Sequence, residues 1–281
     1  MKTPIVITAV IMGVAALAGA VAAYKAGGLR RAYLADVSEG LRRTRSTPAE
    51  PLTEEDIEHL PGPVRRYLEY VGAVGRPKVV SMRATFEAEM RGRDRDWFDL
   101  TAEQHNFFDR YERLFYLDAR VNGLPTRGYH RYRDGEASMT IKLLGLLPVV
   151  DIEGDMMFDA ETVTMFNDMC FLAPATLIDR SIKWEELGPR SVRAGFTNLS
   201  STISAVLYFN EAGQLVNFVS DDRYDVNEGK RYRFSTPIGE FADIGGFNLP
   251  TYGEAVWHYP DGEFVYGRYR VRSIEYNVRD R

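Results

Sequence analysis

The sequence predicts a mainly β fold of the α+β type, in which one antiparallel sheet with few helices follows an N-terminal transmembrane helix. Three observations predict it. An uncharged apolar stretch, Ile5 to Ala23, opens the chain; from Lys78 onward hydrophobic and polar residues alternate; and one helical pattern, at about residues 159–173, interrupts the strands. The chain has 281 residues, of which 45% are hydrophobic and 27% charged. This composition is typical of a globular protein that can bury a sizeable core.

Residues 1–31 are predicted to form a membrane anchor. The 19 residues from Ile5 to Ala23 would reach about 28 Å as a helix, close to the roughly 30 Å of a bilayer's hydrocarbon core. A buried helix of a globular protein is rarely apolar on every side over such a length. We therefore expect a single-pass protein of the cell membrane.

Cleavage and orientation of this segment stay open. The residues Ala20 to Ala22 resemble a signal-peptidase site, although a signal core usually has only about 7–15 apolar residues, which favours a retained anchor. Lys25, Arg30 and Arg31 after the span outnumber Lys2 and the amino terminus before it, which favours a cytoplasmic domain. Short N-terminal anchors of bacterial envelope proteins, however, usually export the domain to which they are attached. We expect an extracytoplasmic domain.

Residues 32–77 are predicted to be a helical stalk and a lead-in helix. The segment "AYLADVSEGLRRTR" is compatible with a helix, and the proline-broken "STPAEPLTEEDIEHLPGP" connects it to a second one. In that second helix Val64, Tyr67, Leu68 and Val71 share one face, which predicts that this face is buried.

Residues 78–281 are predicted to form the antiparallel β domain. In "KVVSMRATFEAEMR" every second residue from Met82 to Met90 is apolar, which indicates a half-buried strand. About ten or eleven strands follow in a meander, with turns such as Asp134-Gly135. Asp159 is a plausible N-cap of the inserted helix, and Pro174 ends it. The tyrosines of "YGRYRVR" near the end are expected on outer strand faces.

The closing segment "GGFNLPTYGEAVWHYPDGEFVYGRYRVRSIEYN" resembles the last long hairpin of lipoprotein-carrier-like (LolA/LolB-like) β folds. The resemblance in layout extends from about Lys78 to Asn277. In addition, "LPGPVRRYL", "LLGLLPVVD" and "FLAPATL" resemble blocks of an uncharacterised bacterial family with an N-terminal membrane span. The first resemblance implies a sheet curled into an incomplete barrel, plug helices on its concave face, and a cavity for acyl chains. The second implies no activity, so neither supplies site residues.

No catalytic, metal or cofactor motif is found in the sequence. The only histidines form no ligand pair with each other, and the single cysteine, Cys170, has no partner: these histidines are His59, His105, His130 and His258. The net charge of −5 is carried by interspersed acidic and basic residues, which does not indicate a nucleic-acid partner. We therefore predict no metal, no cofactor and no nucleic acid.

One strand face offers an alternative, enzymatic interpretation. Asp99, Thr101, Glu103 and His105 recur at every second position and so share a face. Glu103 and His105 could act as an acid–base pair in a hydrolase. A solvated strand face explains the same pattern and is favoured. A further alternative is a non-catalytic envelope scaffold that uses the edges of the sheet.

The apolar run Leu143 to Val150 carries the preferred functional hypothesis. Gly145 and Pro148 prevent a helix there, and the run is too short to span a bilayer. It is an edge strand with a bend or an apolar loop, and it packs in the core, lines a cavity for an apolar ligand, or contacts the membrane. We expect binding or relay of a hydrophobic ligand, with a lipid as the expected ligand, at a bacterial envelope membrane. The residues expected to bind it are Met82, Phe86, Met90, Leu144, Leu147, Val150, Phe171 and Leu172.

Overall fold

The structure is a computed structural model that describes residues 24–48 and 50–279. The helices are α1 (Gly28–Thr44), α2 (Glu54–Ile57), α3 (Gly62–Tyr70) and α4 (Asp155–Phe171), followed by a 3-10 helix (Pro174–Ile178). The strands of the first half are β1 (Ser81–Met90), β2 (Phe98–Phe107), β3 (Glu112–Val121), β4 (Leu124–Arg133), β5 (Glu136–Leu143) and β6 (Leu147–Glu153). Those of the second half are β7 (Lys183–Gly188), β8 (Ser191–Asn198), β9 (Ser201–Phe209), β10 (Leu215–Ser220), β11 (Tyr224–Asp225), β12 (Lys230–Arg231), β13 (Arg233–Ile244), β14 (Phe247–Tyr259) and β15 (Gly262–Tyr276). Thirteen of these strands form one antiparallel sheet in the order β6-β5-β4-β3-β2-β1-β15-β14-β13-β10-β9-β8-β7, and β11 pairs with β12.

The first and last strands of the chain meet in the middle of the sheet. β1 pairs with β15 from Met82 opposite Tyr276 to Met90 opposite Gly267. The two halves extend outward from this pair as series of hairpins, and β6 and β7 are left as the two edges, so within the described residues the sheet is not closed. The mainly β, antiparallel fold class predicted from the sequence is confirmed.

Helix α4 crosses the concave face of the sheet and connects its two edge strands. It contacts β5 and β6 near one edge and β8, β9 and β10 near the other, so the sheet curls around it. Most residues of the helix from Met157 to Cys170 are buried, including the polar Glu161 and Asp168, because the sheet surrounds much of its surface. It begins at Asp155 and not at the expected N-cap Asp159, because Gly154, with a φ of 106°, allows the chain to turn directly from β6 into the helix.

Helix α1 packs on the opposite, outer face of the sheet. Its Tyr33, Val37 and Leu41 are buried against side chains of β2, β3 and β4. Gly40 lies directly on the ring of Phe107, since a Cβ at this position would be only 2.3 Å from it. The helix expected as a stalk is therefore part of the folded β domain.

The lead-in helix α3 covers part of the core by the face that the sequence predicts. Val64, Tyr67, Leu68 and Val71 are all fully buried. The Tyr67 hydroxyl donates a hydrogen bond of 3.0 Å to the carbonyl oxygen of Cys170 near the end of α4. This bond links the lead-in helix to the helix inside the sheet.

No helix in residues 24–48 and 50–279 is long and apolar enough to cross a membrane. The predicted span, Ile5 to Ala23, lies outside the described residues.

The run Leu143 to Val150 forms the β5–β6 hairpin. Leu144 and Gly145, with φ values of 55° and 69°, make its turn, and β6 is an edge strand as the sequence analysis allowed. The strand count of fifteen among the described residues exceeds the ten or eleven expected, partly because the short β11 and β12 carry no extended alternation.

Candidate ligand-binding cavity

A cavity of about 890 Å³ lies on the concave face between the sheet and helix α4. Side chains from both halves of the sheet line it, and most of them are aliphatic or aromatic, such as Phe86, Leu117, Ile141, Trp257 and Val271. Sites for small molecules usually measure roughly 300–1,000 Å³ and are lined in this manner, with a few polar groups. The cavity therefore has the size and lining of a site for an apolar ligand.

The cavity reaches the surface along the rim that one end of the strands forms. In an antiparallel sheet of this order, this rim carries the β1–β2, β3–β4, β5–β6 and β14–β15 turns and the β10–β13 connection. The solvent-exposed residues of the lining lie in connections at this rim or at the starts of β4 and β6 beside it: Gly92, Arg93, Asn122, Leu124, Val149, Asn227 and Glu228. We call this rim of strand ends the open edge; it is distinct from the edge strands β6 and β7.

A buried polar network fastens helix α4 to the wall of the cavity. The guanidinium of Arg113 on β3 donates to Asp168 at 2.9 Å and to Glu161 at 3.0 Å, both on α4, and to Gln104 at 3.1 Å. Gln104 and Asn106 on β2 donate to the same Asp168 oxygen at 2.7 and 3.1 Å. The charge of Arg113 is thus balanced by two carboxylates inside the protein.

A second arginine, Arg223, lies in the cavity wall with different surroundings. Its Cζ is 4.2 Å from the ring centre of Phe234 and 5.0 Å from that of Trp257. Its Nη1 donates to the hydroxyl of Tyr266 at 2.8 Å, whereas its buried Nε has no hydrogen-bond partner among the described residues. His130 on β4 also lines the cavity, and burial, together with the charges of Arg113 and Arg223, lowers its pKa to about 3. Its imidazole is therefore neutral at neutral pH.

The structure brings five of the eight residues predicted to bind the ligand to the cavity. Phe86, Met90, Val150, Phe171 and Leu172 line it. That these side chains bind a ligand stays a prediction.

The other three predicted residues lie elsewhere. Met82 points inward but is completely enclosed in the core and does not reach the cavity. Leu144 lies in the β5–β6 turn and Leu147 begins β6; they are 45% and 59% exposed and do not line the cavity.

Most aromatic and polar residues of the cavity lining were not predicted from the sequence. Tyr266 and Tyr269 line the cavity, contrary to the expectation that they lie on outer strand faces. A shift of register in the β14–β15 pair, between Ala255 and Val256, breaks the alternation there. The sequence signal that could have shown it is the change of aromatic spacing from every second residue at Phe264 and Tyr266 to three residues at Tyr269.

Glu103 and His105 lie away from the cavity. Gln104, the residue between them, lines it, so alternation directs both to the outer face of β2. The expected solvated face is wrong at this end of the strand because α1 covers it: His105 is 1% exposed, and its Nδ1 is 2.8 Å from the Tyr33 hydroxyl. Glu103 forms ion pairs with Arg30 at 3.0 Å and Arg83 at 3.4 Å. Burial acts to raise the pKa of Glu103, but these charges outweigh it and lower the pKa.

Among residues 24–48 and 50–279 no group of three or more histidine, cysteine, aspartate or glutamate side chains could hold a metal ion.

A family of unknown function, DUF6544, has a model that matches residues 50–269 of the chain. The chain belongs to this family. The match covers helix α4 and both halves of the sheet up to residue 269 in β15, so it includes every residue of the cavity lining except Val271. No protein with a curated description matches the chain.

Several solved structures are similar to this chain at low sequence identity. A LolA superfamily protein from Nitrosomonas europaea is 13% identical over 76% of this chain and 93% of its own, with a TM-score of 0.42. A putative outer membrane lipoprotein-sorting protein domain from Vibrio parahaemolyticus is 9% identical over 70% and 85%, also with a TM-score of 0.42. A DUF1329 family protein from Desulfovibrio piger is 10% identical over 82% and 95%, with a TM-score of 0.39.

Proposed function

We propose that this protein binds a hydrophobic ligand, and specifically a lipid, in the cavity beneath helix α4 and relays it at a bacterial envelope membrane. The observation that carries the proposal is the 890 Å³ cavity itself, which is lined mainly by apolar side chains and reaches the surface at the open edge.

The lining can supply the free energy that such binding needs. A methylene group transferred from water into an apolar site contributes about 0.8 kcal/mol, so a chain of roughly twelve carbons would gain about 10 kcal/mol before the entropic costs of association. The buried network around Arg113 supports the walls without filling this space, because its polar groups bind one another.

Exposed hydrophobic side chains at the open edge support a position at a membrane. The β5–β6 turn and the start of β4 expose large apolar residues to solvent: Leu124, Leu144, Leu146, Leu147 and Val149. Contiguous exposed apolar patches commonly mark interaction or membrane-contact surfaces. We propose that this patch contacts lipid.

The described chain begins at this same edge. Arg127 Nη1 donates to the Ala26 carbonyl oxygen at 3.3 Å, and a Cβ at Gly145 would be only 2.6 Å from that oxygen. Ala26 follows the uncharged stretch Ile5 to Ala23 by three residues in the sequence. If that stretch is the membrane anchor, as we propose, the open edge of the cavity faces the bilayer.

A cavity-filling variant tests the binding proposal. Thr164 on α4 lines the cavity and is only partly buried, so Thr164→Trp would place an indole in the space a ligand needs. Ala35→Trp on the exposed side of α1 is the matched control. We expect native mass spectrometry of the full chain, released in mild detergent, to show bound lipid in the wild type and in Ala35→Trp but not in Thr164→Trp. A wild-type protein that carries no lipid and binds no fluorescently labelled acyl chain contradicts the proposal.

We also propose that the β domain lies outside the cytoplasm, on the basis of the short N-terminal anchor. Protease added to intact spheroplasts should then degrade the domain. A domain that stays intact until lysis would show the opposite orientation.

A further inference from the structure

Arg223 is a cation in the cavity wall that no carboxylate of the described residues neutralises. We infer that the ligand carries an anionic head group, a carboxylate or a phosphate, which Arg223 binds inside the cavity. This inference rests on the proposed function and specifies its ligand.

The guanidinium of Arg223 is held in place but is only partly satisfied. Phe234 and Trp257 pack against it, and the Tyr266 hydroxyl accepts from Nη1 at 2.8 Å. Aromatic faces attract a cation, yet they leave the N–H groups at the guanidinium edge without acceptors. Nε is buried without a partner among the described residues, and Nη2 forms no hydrogen bond there. Adjacent Nε–H and Nη2–H donors form the fork that binds carboxylate and phosphate oxygens in pairs.

The nearby acids are engaged elsewhere. Asp222, the preceding residue, accepts from the backbone N–H of Ser204 at 2.7 Å and pairs with Arg231 at 3.6 Å. Asp225 accepts from the Tyr259 hydroxyl at 2.7 Å. Arg223 is half-buried, and its buried Nε–H lacks an acceptor among the described residues, which is costly. A position that keeps such a cation without a carboxylate is expected to receive an anion from outside.

The other arginines of the cavity lining have hydrogen-bond acceptors for their guanidinium groups, unlike Arg223 Nε. Arg113 binds Glu161 and Asp168 on α4. Arg93, at the open edge, forms ion pairs with Glu228 and Asp261. Arg91 has no carboxylate partner among the described residues, but its Nε donates to the Val265 carbonyl oxygen at 2.9 Å. Among the arginines of residues 24–48 and 50–279, only Arg223 combines a buried Nε that lacks a partner with a place in the cavity wall.

His130 offers a second hydrogen-bond donor to an anion bound at Arg223. His130 lines the same cavity, and its lowered pKa reflects burial first and then the positive charges of Arg113 and Arg223. The neutral imidazole can donate one N–H to a bound oxyanion without adding a negative charge. The head group would therefore lie near Arg223 and His130, and the tail would extend along the apolar lining around Leu117 and Ile141.

The test compares ligands that differ only in the head group. Palmitate, hexadecyl phosphate and hexadecanol are used to displace a fluorescent acyl probe from the delipidated full chain at pH 8. We expect at least one of the two anionic ligands to bind the wild type ten or more times tighter than hexadecanol, a difference of about 1.4 kcal/mol or more. The tighter of the two identifies the head group as carboxylate or phosphate.

Three variants assign the effect to one side chain. Arg223→Met should lose the preference for the anion while its affinity for hexadecanol stays within about twofold of the wild type, and Arg223→Lys should retain part of the preference because it keeps the charge. Arg233→Met removes an arginine that is exposed and paired with Asp221, and should keep the full preference. A thermal melt of each variant checks folding.

The outcomes separate this inference from the proposed function. Equal affinities of the wild type for both anions and hexadecanol would overturn the anionic head group and leave hydrophobic binding standing. A preference that survives in Arg223→Met would overturn the role of Arg223. A wild type that binds none of the three ligands would overturn the proposed function itself. The wild-type comparison needs no variant, so it decides whether the preferred head group is anionic even if Arg223→Met does not fold.

Discussion

Replacing Arg113 by methionine should destabilise the protein far more than the loss of a surface arginine. The Arg113 side chain is 9% exposed, and its partners Glu161 and Asp168 are 4% and 7% exposed. Methionine fills a similar volume but leaves two carboxylates buried without their cation. Breaking a buried ion pair from one side costs about 3–5 kcal/mol. Because whole domains are stable by only about 5–15 kcal/mol, Arg113→Met should fold but melt at a much lower temperature.

The control for this variant is Arg233→Met, which removes the ion pair between Arg233 and Asp221. These two side chains are 57% and 66% exposed. Exposed pairs contribute about 0–1 kcal/mol. Urea unfolding, followed by tryptophan fluorescence and circular dichroism, gives both free energies of unfolding. A loss below about 1 kcal/mol in Arg113→Met would refute the conclusion that this network fastens α4 to the sheet. A double variant, Arg113→Met with Asp168→Asn, should recover part of the loss because one uncompensated charge is removed.

Three further predictions concern the outer face and the cavity. Gly40→Ala should lower the free energy of unfolding by about 1–3 kcal/mol, because the new methyl group would overpack against Phe107, even though alanine usually favours helices. The control is Gly28→Ala, which should be near neutral because its Cβ would have no neighbour closer than 4.0 Å. The double change Glu103→Ala and His105→Ala should cost more than about 2 kcal/mol in urea unfolding, because His105 is 1% exposed; a cost within 0.5 kcal/mol would mean that α1 does not cover this face. The pKa of His130 is lowered from 6.5 to about 3, so its contribution to stability is present at pH values well above 6.5 and is lost progressively as the pH falls through 6.5 towards 3. From pH 6.5 to pH 5 the free energy of unfolding of the wild type should therefore fall by roughly 1.6 kcal/mol more than that of His130→Gln; equal slopes would contradict this.

The sheet could be predicted from the sequence because its signal is local. The alternation from Met82 to Met90 places Ala84 and Phe86 on the buried face of β1, and turn residues such as Asp134-Gly135 separate the strands. The buried face of α3 was predictable for the same reason. An uncharacterised family was also expected from short sequence blocks, and the match to DUF6544 confirms it.

The position of α1 could not be predicted in this way. Its sequence is compatible with a helix, but its apolar residues are few, and its contact with the sheet depends on Gly40 fitting against Phe107 some 67 positions later. Such complementarity between distant residues leaves no periodic pattern in either segment. For the same reason the sequence could not show that His105 is covered.

The cavity lining illustrates a second limit of local patterns. From the sequence pattern, each apolar residue on the inner face of a strand is predicted to lie in the core, whether it contacts another side chain or borders an empty space. Met82 and Phe86 have the same spacing and chemistry, yet Met82 is enclosed while Phe86 lines the cavity. What separates them is where α4 lies against the curled sheet, and that position depends on an amide of β2 and charged side chains of β3 and α4 that the fold brings together.

The buried charges and the open space are therefore linked. A helix held on a sheet by apolar packing alone would gain free energy by closing the gap, since every unfilled contact forfeits dispersion energy. Arg113, Glu161 and Asp168 instead fix the helix at the distance that their hydrogen bonds require, near 3 Å between polar atoms. Moving α4 deeper would break these bonds and leave charged side chains unpaired in the protein interior, which is costly, so the apolar space next to the network stays open. The polar residues of the wall thus keep the apolar cavity accessible to a ligand.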